Sequence, residues 1–340
     1  MKKPLFFLIL IFSFITHAQE IVSGYVYDKI SQEPLMGATV YFDGSTFGST
    51  TNEEGFFIVR LQDQIMAPLV ISYVGYETYL VPNAFDTDLS AIYLTPKAVP
   101  LDEVVVGADP FSRRQKLAAF RREFLGETQA ARSCRILNED AVRLRYDTSS
   151  NTLRAFADEP IIIENRYLGY QLNFSLYDFE VNFRLVSLAP FDVHNMFFSG
   201  TTFYKDLAKD KEKILKRRKE VYLGSALHLM RTIAAGNWTD TDFRFFIQRG
   251  THQMSVNPEE FFVVEEEQGF KKVTLSENLT FVHKGKKQST LMSKNKEWYI
   301  GAYGNYAPIE NVRFSGWVGR QRAADLLPVD FDLKLKKMEN

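Results

Sequence analysis

Between Ile21 and Leu94 the chain breaks into short runs of β-branched and aromatic residues separated by Gly, Pro, Asn and Asp. No other stretch limits the fold so tightly. The runs are Ile21–Tyr27, Ala38–Phe42, Phe56–Arg60, Leu69–Val74, Glu77–Val81 and Ala91–Leu94. Their spacing of about 8–15 residues, with no helical period between them, predicts an antiparallel β-sandwich. Val22, Gly24 and Val26 alternate onto one face of the first run. Asn52-Glu53-Glu54-Gly55 reads as a tight turn with Gly55 at positive φ, and Val74-Gly75-Tyr76 as a corner between two strands. The acidic turn lacks the spaced oxygen ligands and anchoring Glu of a calcium loop, so a plain β-turn is expected.

The residues themselves carry a resemblance. Gly24-x-Val26-x-Asp28, then Glu33-Pro34-Leu35-x-Gly37-Ala38-Thr39-Val40, Thr50-Thr51-Asn52-Glu53-Glu54-Gly55-Phe56-Phe57 and Leu69-Val70-Ile71-Ser72-Tyr73-Val74-Gly75-Tyr76-Glu77-Thr78 follow one another in order. Together they resemble the carboxypeptidase-like regulatory domain, a prealbumin-like sandwich that is an accessory fold without catalytic residues of its own. Leu101-Asp102-Glu103-Val104-Val105-Val106 looks like the segment joining this domain to the plug of TonB-dependent transporters. The chain ends at Asn340, too soon after Val106 for a plug and a large barrel, and without a closing aromatic strand, so a transporter is not expected.

At the start, Lys2 and Lys3 precede the apolar run Leu5–Ile15 and the small-residue site Thr16-His17-Ala18. This is the pattern of a secretory signal, with cleavage expected after Ala18. No later apolar stretch approaches the roughly 18 residues of a membrane-spanning helix, so no span is expected after cleavage. The formal charge is −1, too balanced for a nucleic-acid surface. The 29 Phe and 16 Tyr can build large cores. Cys134 is the single cysteine, so it has no disulfide partner in the chain and is expected to be buried and inert.

The predicted organisation is a signal over residues 1–18, the sandwich over 19–95, a linker with a Leu101–Val106 strand over 96–111, and an α+β domain over 112–340. In this last part Ser112–Leu125 reads as a helix capped by Ser112 and closed by Gly126, with Leu117, Phe120, Phe124 and Leu125 on one face. Val142–Tyr146, Leu153–Phe156 and Ile161–Glu164 are short strands, and Leu172–Leu176 and Val181–Leu185 each alternate. Lys205–Ala235 reads as a helical hairpin split at Gly224-Ser225. Phe243–Gln248, Glu260–Val264, Phe270–Leu275, Leu279–His283, Gln288–Met292, Trp298–Ile300 and Val312–Val318 complete a sheet-rich tail. The whole is predicted to be mainly β, α+β overall: a seven-stranded-type antiparallel β-sandwich, then a larger sheet-rich domain with a central helical hairpin. Segments such as Cys134-x-Ile136-x-Asn138 and Tyr222-x-Gly224-Ser225-x-x-His228 look like those of uncharacterised envelope proteins with the same N-terminal domain.

Catalytic signatures are missing. A zinc carboxypeptidase needs Glu three residues after His, but His194, His228, His252 and His283 are followed there by Phe197, Arg231, Ser255 and Lys286. No G-x-S-x-G elbow surrounds Ser225 or Ser199, and Gly301–Gly304 lacks the lysine of a phosphate loop. Asp147, Asp158, Glu159 and Glu164 flank strands as glycosidase carboxylates do, but carboxylates also decorate turns. No cofactor or metal is expected.

The expectation is therefore a non-enzymatic envelope accessory protein, exported to the periplasm or outer membrane. Its partner is expected to be an envelope protein or transporter complex, a glycan or a peptide. Candidate contact residues are Leu101, Val104 and Val106 on an edge strand, Tyr167 and Tyr170 in an aromatic loop, and Arg217 and Arg218 in the most basic cluster. Aromatics of Trp298–Tyr306 are further candidates for stacking on sugars. The alternative is an unrecognised envelope hydrolase of glycan or peptide, its site in the C-terminal domain.

Overall fold

A computed structural model describes residues 20–61, 65–97, 109–209, 211–239, 241–267 and 269–331. The signal segment and the Leu101–Val106 strand, with the candidates Leu101, Val104 and Val106, lie outside the described residues.

The first unit is the expected sandwich. Its strands are β1 (Glu20–Asp28), β2 (Thr39–Phe42), β3 (Gly48–Thr50), β4 (Phe56–Leu61), β5 (Leu69–Ser72), β6 (Tyr79–Val81) and β7 (Ile92–Leu94). They form two sheets, ordered β4-β1-β7 and β3-β2-β5-β6. Two details differ from the sequence reading: β3 is a strand, and β1 pairs β7 in parallel. Val22, Gly24 and Val26 face the core as the alternation implied, against Phe42, Phe57 and Ile71. Gly24 is fixed by space, because a Cβ there would sit 2.0 Å from the Leu89 carbonyl oxygen.

The second unit packs α1 (Arg113–Leu125) and the one-turn α2 (Gln129–Arg132) with β8 (Cys134–Ile136), β9 (Val142–Asp147), β10 (Thr152–Ala157), β11 (Ile161–Asn165), β12 (Tyr170–Phe183) and β13 (Val193–Asp206). Ser112 and Gln115 make a reciprocal capping box at the start of α1. Phe120 and Phe124 meet Phe179, Phe174 and Phe198 nearly edge-on, the favoured approach of aromatic rings.

Here the two expected strands Leu172–Leu176 and Val181–Leu185 are one. Inward residues are even-numbered to Leu176 and odd-numbered from Phe179, because Tyr177 is an extra residue with no partner on β13. The bulge lies where the neighbour of β12 changes from β11 to β10. The long partner β13, unread in the sequence, runs to Asp206, so Lys205 is strand rather than helix.

The helical hairpin follows as α3 (Glu212–Tyr222) and α4 (Ala226–Ala235), split at Gly224 with Ser225 capping α4 through the His228 amide. The third unit holds β14 (Phe243–Arg249), β15 (His252–Val256), β16 (Phe262–Glu267), β17 (Phe270–Leu275), β18 (Leu279–His283), β19 (Lys287–Ser293), β20 (Glu297–Ile300), β21 (Tyr306–Ala307) and β22 (Val312–Ser315). These form sheets ordered β15-β14-β18-β19-β22 and β16-β17-β20-β21. Between them lie Phe245, Val273, Phe281 and Trp298, with Leu229, Met230 and Ile233 of α4. Strand β22 stops at Ser315, and the one-turn α5 (Gly316–Gly319) replaces the rest of the expected strand.

The sandwich is keyed into the remainder. Its β2–β3 turn lies along β13: Gly44 N donates to Thr202 O (2.8 Å), Tyr204 N to Ser45 O (3.0 Å) and Thr202 N to Asp43 Oδ1 (2.7 Å). Tyr41 stacks on Phe203 and shares a hydrogen bond with Thr201 (2.9 Å). From the other side Tyr303 enters the sandwich core, and Asn305 binds the Met66 carbonyl. The final described stretch ties all three units together. Ala323 and Ala324 join the second core, Val329 touches the first, and Arg231 of α4 donates to Val329 O (2.7 Å) and Phe331 O (2.9 Å).

Candidate functional site

The expected contact residues Tyr167, Tyr170, Arg217 and Arg218 come together, in two stacked pairs. Asn165 builds the loop between β11 and β12: its Oδ1 accepts from Leu168 N (3.0 Å) and its Nδ2 donates to Ala324 O (2.9 Å). Gly169 then turns at φ +66, so close to the chain leading into α3 that a Cβ would lie 2.6 Å from Ala208 and 3.0 Å from Ile214. Arg217 lies 4.5 Å over the Tyr167 ring, and Arg218 3.7 Å over Tyr170.

Only the first pair reaches the surface. Arg218 and Tyr170 are each 2% exposed, which corrects their reading as contact residues. Arg218 donates to Leu168 O (2.7 Å), to Gly169 O (3.1 Å) and to both oxygens of Asp206 (2.9 and 2.7 Å). Burial raises the Asp206 carboxyl, but these hydrogen bonds outweigh it and hold the group below its usual range. Arg218 is thus a rivet between α3, β13 and the loop. Trp298 and Tyr303 are likewise fully buried and offer no stacking surface.

Tyr167 instead forms one lip of a cleft of about 420 Å³ between the second and third units. Opposite stand Trp317 and Lys287, and Val221, Arg320, Gln321 and Asp325 complete the wall. Lys287 reaches over Trp317 at 4.1 Å, while its Nζ donates to Leu223 O (2.6 Å) and Glu220 O (3.0 Å) at the end of α3. A cation there suits the negative helix terminus, although burial lowers the Lys287 pKa. Asp325 is buried, bound by Thr128 Oγ1 (2.6 Å), and raised by burial. Two aromatic faces, an exposed guanidinium and side-chain amides can hold a ligand with one apolar face and polar edges, such as a sugar ring or a peptide. Lys287, Trp317 and Arg320 were not singled out in the sequence; Trp317, beside two glycines in a tail read as strand, carried no local signal.

Groups able to do covalent chemistry are dispersed. Asp158 pairs with Arg143 (3.0 Å), Glu164 with Arg166 (2.9 Å) and Glu159 with Asn138 (3.1 Å), while Ser149 and Ser150 bind Asp147. Cys134, expected to be buried, is half-buried, and its thiol is pushed up to about 12, mainly by burial and further by Asp325, which disfavours the nucleophilic thiolate at neutral pH. His228 accepts from Gly224 N (3.0 Å) and is lowered to about 4, first by burial and then by His283. It stays neutral among Tyr222, Phe243 and His283, with no carboxylate bonded to it among the described residues. Among the described residues, no three His, Cys, Asp or Glu converge as metal ligands.

Comparison with known proteins gives the N-terminal unit its class. The sandwich is a carboxypeptidase-like regulatory domain: residues 22–106 match the family model of the CarboxypepD_reg-like domain. The match extends beyond β7 through Leu101–Val106. No curated protein matches the chain.

Proposed function

We propose that this is a non-enzymatic accessory protein of a cell envelope, exported to the periplasm or outer membrane, that binds envelope glycan or peptide. The carrying observation is that a regulatory domain without catalytic residues is bonded rigidly into the chain at Asp43–Ser45, beside units that present an aromatic cleft. In this reading the sandwich serves as a fixed frame, and Tyr167, Trp317 and Arg320 make the contact. An association with a transporter complex fits the same reading, since the family match runs through the transporter-like Leu101–Val106 segment.

The test is capture from envelope extracts and on cell-wall glycan, with the wild-type chain and Trp317→Ala side by side. Retention of a glycan or envelope peptide that drops at least about tenfold without Trp317 is the expected result, on the scale of one lost aromatic anchor. Equal retention by both chains, or turnover of a glycan by either, would overturn it.

A further inference from the structure

The hairpin between β12 and β13 ends in Leu185-Val186-Ser187-Leu188-Ala189-Pro190-Phe191, a tip with one polar side chain, where loops are ordinarily polar. Leu185, Val186 and Phe191 are 53%, 49% and 77% exposed. They are held outward by the backbone beneath them. Tyr146 Oη accepts from Ser187 N (3.2 Å), Arg122 donates to Leu188 O (2.9 Å), and Arg184 N bonds Asp192 O (2.8 Å). Phe197, on the outer face of β13, is also 53% exposed. A patch of this kind, fixed rather than collapsed, marks a surface that something covers.

The surrounding charge selects the occupant. Arg184 lies at the base of the tip, Arg145 precedes Tyr146 on the outer face of β9, and Arg114 comes three residues after Phe111, whose ring packs on Tyr146 at 4.7 Å. None of these arginines has a carboxylate partner among the described residues. Of the acids close by, Asp147 is occupied by Ser149, Ser150 and Arg154 (3.6 Å), Glu180 by Arg154, Asp109 by Lys116 and Glu123 by Arg122, which leaves Asp192 against three cations. Apolar side chains on a protruding turn within a basic rim match a bilayer with anionic headgroups, apolar tip in the interface and arginines at the phosphates.

We propose that the Leu185–Phe191 tip docks this protein on an anionic phospholipid surface. The proposal is independent of what the cleft holds: failed glycan capture would leave it standing.

The experiment is co-sedimentation of the chain beginning at Gln19 with 3:1 phosphatidylethanolamine–phosphatidylglycerol vesicles. Binding is expected, reduced several-fold by half-molar salt and at least about tenfold by Val186→Asp with Phe191→Asp. Failure of the wild type to sediment, or equal binding by the double variant, overturns the proposal. As a second readout that keeps the native surface nearly intact, Phe191→Trp emission should shift to the blue when vesicles are added. An unchanged spectrum counts against it, and so does loss of a dimer, rather than of vesicle binding, in the double variant.

Discussion

Arg217 and Arg218 are neighbours in one basic cluster and lie over neighbouring tyrosines, yet their surroundings give them opposite weights. Removing Arg218 strands two carbonyls and the Asp206 carboxylate, whose side chain is 13% exposed, in a largely buried site, a loss of about 3–5 kcal/mol for a buried pair broken on one side. Arg217 is half-exposed and makes one long hydrogen bond (3.3 Å) besides its ring contact, so Arg217→Ala should cost under about 1 kcal/mol. Thermal unfolding of the two alanine variants separates them, and equal shifts would refute the rivet. Arg218 had a legible signal: Ile214, Arg218 and Val221 fall at i, i+4 and i+7 on α3, so the arginine sits on the apolar stripe. Its partners, 12 to 50 residues upstream, were not legible. Cys134 makes a second test at this scale. With its thiol near 12, it should resist alkylation at pH 8 in the native chain and react at once in denaturant.

At the scale of elements, β12 shows how a strand can look like two. Period-two reading assumes one constant phase, and the extra residue Tyr177 shifts that phase by one. Deleting Tyr177 would restore strict alternation from Tyr170 to Phe183 and should leave a folded chain. Deleting Asn173 instead would turn Leu172 and Tyr170 outward, since a one-residue slip exchanges the two faces, and should abolish folding. Far-ultraviolet dichroism and melting of both deletions test this, and equal damage would sink the argument. The same logic explains why β13 was not read. Thr201, Thr202, Phe203 and Tyr204 are buried in succession because the sandwich turn covers them, and that cover comes from some 160 residues away. The sandwich, by contrast, was legible almost throughout, because its turns carry Gly and Asn and β1 and β4 each bury one clean face. The cleft was not, since α3, β19 and α5 each supply isolated residues to it.

At the scale of the molecule, the junction between the sandwich and β13 holds a half-buried carboxylate without a cation bonded to it among the described residues. Burial raises Asp43 to about 6, only partly opposed by the Thr202 and Gly44 amides. Its neighbours Tyr41, Tyr177 and Tyr204 are raised too, first by burial, and so remain neutral. A folded-state value above the unfolded one means that the native chain prefers the protonated group. The favourable term is complete below about pH 4 and is lost as pH rises through about 6. A difference of about two pKa units is worth on the order of 3 kcal/mol. Asp43→Asn keeps an acceptor for Thr202 N and removes the charge. The variant should therefore match the wild type near pH 4 and exceed it by up to that amount above pH 7. Denaturant unfolding at both values measures the difference, in which the neighbouring half-buried Asp330, also raised and common to both chains, cancels. Parallel stability curves would place Asp43 in contact with water and make the keyed turn a looser joint. A widening gap would show that the sandwich and β13 stay closed over a half-buried charge, and hence that the regulatory domain is a fixed part of the molecule.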